Sequence, residues 1–306
     1  MKTITILLPA YNEAESMKEL ESCMQQVIKD NPDYNWEFLM INDGSTDDTL
    51  ELMVSLSQQN SCYHYLDLSR NYGKEIAIMA GLDYAEGDAV IIMDADMQHP
   101  IEVIPEMLKY WEEGYDDVYA QRQASDEPWI KRHTSKLYYK ILQKSTNIPI
   151  QKDTGDFRLL DRKCIEALKN MREIDRNNKG LFSWIGFNKK GISYQQNLRQ
   201  HGKTKWSYYK LLNLALTGIT SFTTTPLRFA SFFGFIVSFL AFIYLVYIII
   251  KTILYGDPVQ GYPTLMVTIL FLGGIQLIAL GIIGEYLGHI FNETKKRPGY
   301  LVREYK

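Results

Sequence analysis

Through residues 1–205, short apolar runs alternate with amphipathic stretches. Runs of strand length stand at Thr3–Leu8, Trp36–Ile41, Cys62–Leu68, Ala89–Met93 and Asp117–Ala120. Between them, Glu15–Lys29, Thr46–Gln59, Lys74–Ala85 and Ile101–Glu113 space their apolar residues at helical intervals. This order predicts an α/β domain with a mostly parallel sheet covered by helices. Ligands of such sheets bind beyond the carboxyl ends of the strands. The polar clusters fall at those ends: "PAYNE" (9–13), "NDGSTDD" (42–48), "SRNYGK" (69–74) and "DADMQ" (94–98). One shared site is expected there.

The pattern changes after residue 205. Phe229 to Ile250 and Pro258 to Gly284 contain no charged side chain. At about 1.5 Å per residue, each run is long enough to cross a hydrocarbon core of roughly 30 Å. Lys203, Lys205, Lys210 and Arg228 precede the first run, and Lys295, Lys296, Arg297, Arg303 and Lys306 follow the second. The connection holds only Lys251. This bias places both termini in the cytoplasm and the chain in the inner or plasma membrane as a multi-pass protein. Residues 206–227, with Trp206, Tyr208 and Tyr209 at their start, read as helices lying in the membrane interface. The expected organisation is a catalytic domain over 1–205, interfacial helices over 206–227, a two-helix transmembrane region over 228–291 and a cytoplasmic tail over 292–306. The opening "ITILLPA" reads as a buried strand rather than a signal peptide.

Composition narrows the picture only where it departs from the average. A mean hydropathy of -0.19 conceals the two unlike halves. A net charge of -3 gives no general attraction to nucleic acid. Cys23, Cys62 and Cys164 show neither metal-ligand nor redox spacing, which suits a reducing compartment. The chain has no G-x-G-x-x-G and no G-x-x-x-x-G-K-[ST], so nucleotide phosphates must be held in another way.

The strongest chemical signal is "DADMQHP" at the end of an apolar run. If the strand continued, Asp94, Asp96 and Gln98 would share one side. Oxygen donors of this kind suit Mg²⁺ or Mn²⁺ shared with substrate phosphates. His99, before Pro100, reads as a surface or supporting side chain rather than an ion ligand. In "NDGSTDDT", Asp43 and Gly44 suit a turn, and Ser45 or Thr46 a helix N-cap. An aspartate at such a strand tip can also accept a hydrogen bond from a base N–H. In "SRNYGKE", Gly73 permits a close backbone approach and Lys74 can balance phosphate charge at a helix start.

Taken in order, "LPAYNE", "NDGSTDDT", "SRNYGKE", "DADMQHP" and "DTGDFRLLDR" resemble a family 2 glycosyltransferase of the GT-A fold. One catalytic domain followed by two spans is similar to the bacterial polyprenyl-phosphate glycosyltransferases, including bactoprenol glucosyltransferases, with dolichyl-phosphate mannose synthases as relations. The resemblance implies donor contacts from Pro9, Ala10, Tyr11 and Glu13, base binding by Asp43, and nucleotide contacts from Lys74, Asp94 and Arg122. It gives the ion to Asp96 and Gln98, with Asp94 a further candidate. It implies phosphate binding by Arg199 and Lys205 in "RQHGKTKW", where Thr204 replaces the usual Ser. Lys131 and Arg132, in a loop at 121–133, are further candidates for drawing in the acceptor phosphate. Asp156 stands where inverting members place a catalytic carboxylate. It could orient the acceptor or balance Arg158, and Asp153 shares the ambiguity.

The activity implied is inverting transfer of a sugar from a nucleotide diphosphate, UDP-glucose foremost, to a polyprenyl phosphate such as undecaprenyl phosphate. The implied assembly is a homo-oligomer, a tetramer by resemblance, and Gly284 with Gly288 has the spacing of close helix contacts. Two alternatives stay open. A polysaccharide synthase would carry Gln-x-x-Arg-Trp, but Gln196 and Arg199 are followed by Gln200. A non-catalytic partner of a sugar-lipid flippase would have no use for the full donor and metal set.

Overall fold

The structure is a computed structural model describing residues 1–122, 151, 154–174, 176–195, 225–255 and 261–306. It divides into two units, Met1–Tyr208 with Arg297–Lys306, and Tyr209–Lys296.

The first unit holds a mixed sheet with strand order β7-β5-β6-β4-β1-β2-β3-β8 among the described residues. Its first half follows the expected alternation: β1 (Thr3–Ala10), α1 (Met17–Asp30), β2 (Asn35–Asn42), α2 (Thr49–Gln59), β3 (Tyr63–Leu68), α3 (Lys74–Tyr84), β4 (Ala89–Ile92), α4 (Ile104–Glu112) and β5 (Asp117–Arg122). Strands β1–β4 are parallel neighbours and covered on both faces. That double burial is why they read as continuous apolar runs rather than alternating ones. Helix α3 is buried throughout Ile76–Leu82, so its sequence carries almost no polar face.

Some boundaries differ for local reasons. The helix expected from Ile101 opens as a 3₁₀ turn, Ile101–Val103, and becomes α-helical at Ile104. Pro105, lacking an N–H, is tolerated in that first turn. Helix α2 starts at Thr49 rather than Thr46, because Ser45 and Thr46 bond to Asn12 instead of capping the helix.

The remaining elements of this unit were not legible as periodic runs. They are β6 (Thr154–Asp161), α5 (Arg162–Lys169), α6 (Asn178–Trp184), β7 (Lys189–Tyr194) and β8 (Val302–Tyr305). Strand β6 runs antiparallel to both β4 and β5, and β7 runs parallel to β5. The first residues of β6 therefore lie at the same sheet edge as the last residues of β1–β5. Residues 302–305, expected in a tail, pair antiparallel with β3 as an edge strand. Arg303 reinforces the seam by donating to the Ser69 carbonyl, 2.6 Å away. Tyr300 donates its hydroxyl to Asp83 on α3 at 2.6 Å.

The second unit contributes two helices, α7 (Thr225–Tyr255) and α8 (Tyr262–Thr294). At about 1.5 Å per residue both are long enough to cross a bilayer core of roughly 30 Å. Among the described residues, Phe271–Thr294 is long and apolar enough to cross a membrane, and Phe229–Tyr244 is a shorter apolar stretch. Helix α7 starts inside the segment expected to lie in the interface, with Pro226 in its first turn. Residues 206–224 lie outside the described residues.

Candidate functional site

The site grows from two laced loops. After β1, Asn12 adopts a left-handed backbone conformation (φ 57°) that turns its side chain toward the loop following β2. The Asn12 side-chain Oδ1 accepts from the Thr46 N–H at 2.8 Å, and the Ser45 hydroxyl oxygen accepts from the Asn12 N–H at 3.0 Å. The Thr49 hydroxyl oxygen accepts from the Glu13 N–H at 3.0 Å. The Asp43 N–H in turn donates to the Ala10 carbonyl at 3.0 Å. Pro9, Ala10, Tyr11 and Glu13 are thus fixed beside Asp43, and Tyr11 is 42% exposed, leaving its ring open to a ligand.

A third loop is pinned to the same aspartate. The Asp43 carboxylate accepts from the Tyr72 N–H at 2.7 Å and the Gly73 N–H at 2.9 Å. Burial pushes the Asp43 pKa up, although the two N–H donors work against it. Gly44 is required here. Its φ is 65°, and a Cβ would lie 2.5 Å from the backbone of Arg70 and Asn71. Gly73, at φ 91°, turns the chain into α3 and presents Lys74 at the helix start.

Lys74 stands between two carboxylates. Its ammonium lies 2.6 Å from Asp94 Oδ1 and 2.6 Å from Asp156 Oδ2. The second partner follows from strand pairing. The register Ile92↔Arg158, continued by two residues, brings Asp156 opposite Asp94. Burial alone would lower the Lys74 pKa, but Asp94 and Asp156 hold it above the ordinary lysine range. Asp94 is affected in the opposite sense: burial would raise its pKa, while Lys74 and His99 hold it well below the usual carboxylate range. The other oxygen of Asp156, Oδ1, is buried and has no hydrogen-bond partner among the described residues.

Two expectations need correction. Strand β4 ends at Ile92, and residues 95–96 form a turn followed by Met97 at φ 60°. Two-residue alternation therefore does not govern Asp94, Asp96 and Gln98. Nor does Asp156 balance Arg158. Arg158 is fully buried and pairs with Asp117, its Nη1 lying 3.1 Å from Oδ2 and 3.3 Å from Oδ1, with its guanidinium over the Phe182 ring at 4.1 Å.

The turn still carries donors suited to a divalent ion. Asp96 supplies a carboxylate and Gln98 an amide oxygen, both hard ligands of the type Mg²⁺ and Mn²⁺ take alongside substrate phosphates. Asp94 fits that role less well, since both its oxygens face Lys74 and His99. No group of three or more His, Cys, Asp or Glu with metal-site geometry occurs among the described residues. Asp96 and Gln98 are therefore the residues of this turn whose oxygens could hold such an ion.

Arg122 closes β5 at this same sheet edge, next to Tyr194 of β7. Asp153, Arg199, Lys205, Lys131 and Arg132 lie outside the described residues. Sequence reading passed over Tyr194 and left His99 as either a surface or a supporting side chain; both are buried at the site. His99 carried a signal, its place directly after the acidic turn. Tyr194 was hidden in a strand too short and too polar to stand out.

Residues 5–169, over half the chain, running from within β1 to the end of α5, match the family model described as glycosyl transferase family 2. Residues 225–290 match a second model, described as the GtrB C-terminal hairpin. An uncharacterized glycosyltransferase of Synechocystis sp. is 46% identical, covering 98% of this chain and 95% of its own. A prophage bactoprenol glucosyl transferase homolog of Escherichia coli K12 is 42% identical over 99% of each chain. The bactoprenol glucosyl transferase of Shigella phage SfX is 41% identical, also over 99% of each. Loops laced around Asp43, a lysine joining two strand-tip carboxylates and relatives that run nearly end to end all point the same way: this chain belongs to glycosyl transferase family 2.

Proposed function

We propose that the protein transfers a sugar, glucose from UDP-glucose in the first instance, to the phosphate of a polyprenyl lipid at the membrane surface, inverting the anomeric carbon. The observation that carries the reading is the union, in one chain, of a family 2 site with a hairpin that matches the GtrB C-terminal model over residues 225–290. The bactoprenol glucosyl transferase names of the relatives support the acceptor class.

In this reading the base rests against Asp43 and Tyr11, and the diphosphate faces Lys74 and Arg122. Mg²⁺ or Mn²⁺, held by Asp96 and Gln98, would neutralise charge on the departing nucleoside diphosphate. Lys74 fixes Asp156 by its 2.6 Å contact and leaves the buried Oδ1 to meet a donor from substrate. A phosphate monoester has a second pKa near about 6, so the attacking oxygen is already ionised at neutral pH. A strong base is not needed, and Asp156 orients rather than deprotonates. Two anions meeting in one site require cations. Arg199, Lys205, Lys131 and Arg132 are assigned to the acceptor phosphate.

The membrane part of the proposal is a two-span hairpin with both termini on the cytoplasmic face. The chain leaves the catalytic unit at Tyr208 and rejoins it at Arg297, which an even number of crossings accommodates. Interfacial residues 206–224 would hold the site at headgroup depth, and the working assembly is a homo-oligomer.

The test offers a panel of labelled nucleotide sugars with undecaprenyl phosphate and Mg²⁺ or Mn²⁺ to the purified full chain. Label from UDP-glucose is expected in the organic phase, and chelator should abolish the transfer. Label that enters only a growing water-soluble glycan, or no fraction at all, would overturn the reading.

A further inference from the structure

His99 is 4% exposed and lies inside the site, stacked on Phe157 with ring centroids 4.7 Å apart and planes 28° from parallel. Its Nε2 is 3.3 Å from Asp94 Oδ2, and its Nδ1 is 3.4 Å from the Tyr194 hydroxyl oxygen. The Arg122 Nε–H donates to that same hydroxyl oxygen at 3.4 Å. One arrangement of hydrogens satisfies every member. Arginine can only donate, so the tyrosine oxygen accepts from Arg122 and turns its own hydrogen toward His99 Nδ1. The imidazole then carries its hydrogen on Nε2 and donates it to Asp94. Asp94 Oδ1 takes the Lys74 ammonium, which also holds Asp156.

The groups therefore form one chain: Arg122, Tyr194, His99, Asp94, Lys74, Asp156. It draws on β5, β7, the turn after β4, α3 and β6. Its two cations are those that the functional reading aims at the donor. Its two carboxylates would otherwise be free to rotate about their side-chain bonds.

We propose that His99, as the Nε2–H tautomer, is a positioning residue: it locks the Asp94 carboxylate against Lys74 and, through Tyr194, ties that lock to Arg122. Direct contact with substrate is no part of its role. Removing its two hydrogen bonds leaves the Tyr194 hydroxyl without its acceptor and frees Asp94 to turn. Misplacement of a reacting group by about 1 Å can cost on the order of 10²-fold in rate.

The proposal rests on the donor-site reading, so its test has one readout that needs turnover and one that does not. His99→Phe keeps an aromatic ring on Phe157 but removes both hydrogen bonds, whereas His99→Gln can restore an N–H near the Nε2 position. In the full chain, His99→Phe is expected to lower kcat at least about tenfold with little change in KM for the nucleotide sugar. His99→Gln should recover most of that loss. Tyr194→Phe should be intermediate, and the double variant His99→Phe/Tyr194→Phe no worse than His99→Phe alone, since both break one chain. Independently of turnover, ¹⁵N-labelled imidazole resonances should show His99 bare at Nδ1 and protonated at Nε2, with Nδ1 shifting in Tyr194→Phe. Wild-type kcat in His99→Phe, additive losses in the double variant, or a His99 resonance indifferent to Tyr194 would each overturn the proposal. A wild-type chain that transfers no sugar but shows the coupled resonance would instead sink the donor-site reading and leave the lock standing.

Discussion

The unit of Met1–Tyr208 with Arg297–Lys306 and the unit Tyr209–Lys296 use the same apolar side chains in opposite directions. In the first, Ile4, Leu7, Phe38 and Phe157 are fully buried, and charged groups are buried among them with partners. In the second, Phe235 and Leu277 are each 71% exposed, and neighbouring Phe and Leu side chains point outward with them. Phe229 to Ile250 contains no charge at all. A water-facing helix with that surface would be an aggregation hazard, while the same surface in lipid needs no partner. In the catalytic unit a residue's worth is set by the specific group beside it. In the second unit, on the membrane-hairpin reading proposed above, it would be set by depth in the bilayer. Substitutions should therefore act through pairs in one region and through transfer cost in the other.

The largest effect is expected where two pairs share one residue. Lys74→Met leaves Asp94 and Asp156 without the cation that joins them and, on the proposed function, removes a donor to the developing diphosphate charge. Turnover of labelled nucleotide sugar should fall roughly 10²–10³-fold. Unchanged turnover would mean that the bridge is incidental. Next comes the buried ion pair away from the chemistry. Burial raises the Asp117 pKa, and Arg158 and Lys189 oppose that rise. Asp117→Asn strands a fully buried guanidinium and should cost about 3–5 kcal/mol in denaturant unfolding of the catalytic unit. Adding Arg158→Met should return part of that loss, since an absent pair is cheaper than half a pair. The hairpin should behave differently. Leu277→Lys has no partner to lose, yet it should disfavour membrane insertion by about 2.5–3.5 kcal/mol, measurable by glycosylation mapping of inserted helices. Leu277→Phe should insert as the parent does. Free insertion of the lysine variant would break the contrast between the two units.

Legibility divides along the same line. The parallel half of the sheet was readable because strands buried on both faces appear as unbroken apolar runs and their tips collect the polar motifs. Helices α7 and α8 were readable because their long uncharged runs carry few loop signals. Strand β6 was missed. Its sequence, "TGDFRLLD", buries Asp156 and Arg158 beside Phe157, so hydropathy gives no strand signal. Their ion-pair partners among the described residues, Lys74 and Asp117, are far away in sequence. Strand β8 was missed because "VREY" is an exposed edge, specified by its pairing with β3 rather than by burial. The short motifs at the strand tips marked the loops that the structure gathers at one sheet edge, although contacts about thirty residues apart in sequence, such as Asn12 with Thr46 and Asp43 with Tyr72, fix them there. The bridging of Asp94 to Asp156 by Lys74 depends on antiparallel register, which no local pattern encodes. The sequence offered Asp94 as a donor or ion contact and Lys74 as a nucleotide contact, and the ion pair that joins them to Asp156 was not among its readings.

The smallest effect tests the contrast through pH. Glu75 follows Lys74 on α3, and its carboxylate accepts from the Asn178 N–H at 2.7 Å. Burial raises its pKa from 4.5 to about 6, Asp156 adds to the rise, and the Asn178 N–H, Lys74 and Lys179 oppose it. The folded chain thus holds this proton more tightly than the unfolded chain does. Between about pH 4.5 and about pH 6 the folded state has more protons bound, so stability falls as pH rises through that window and is level above it. Glu75→Gln can still accept from Asn178 but has no proton to lose. It should match the parent near pH 4.5 and exceed it near pH 7.5 by at most about 2 kcal/mol, read as a shift in urea midpoint at the two pH values. Stability curves for parent and variant that run parallel across the window would mean that Glu75 is not held in the buried, partly uncompensated state on which the expected difference depends. The same substitution should leave membrane insertion of α8 untouched, because a proton bound beside Lys74 has no bearing on the transfer of apolar surface into lipid.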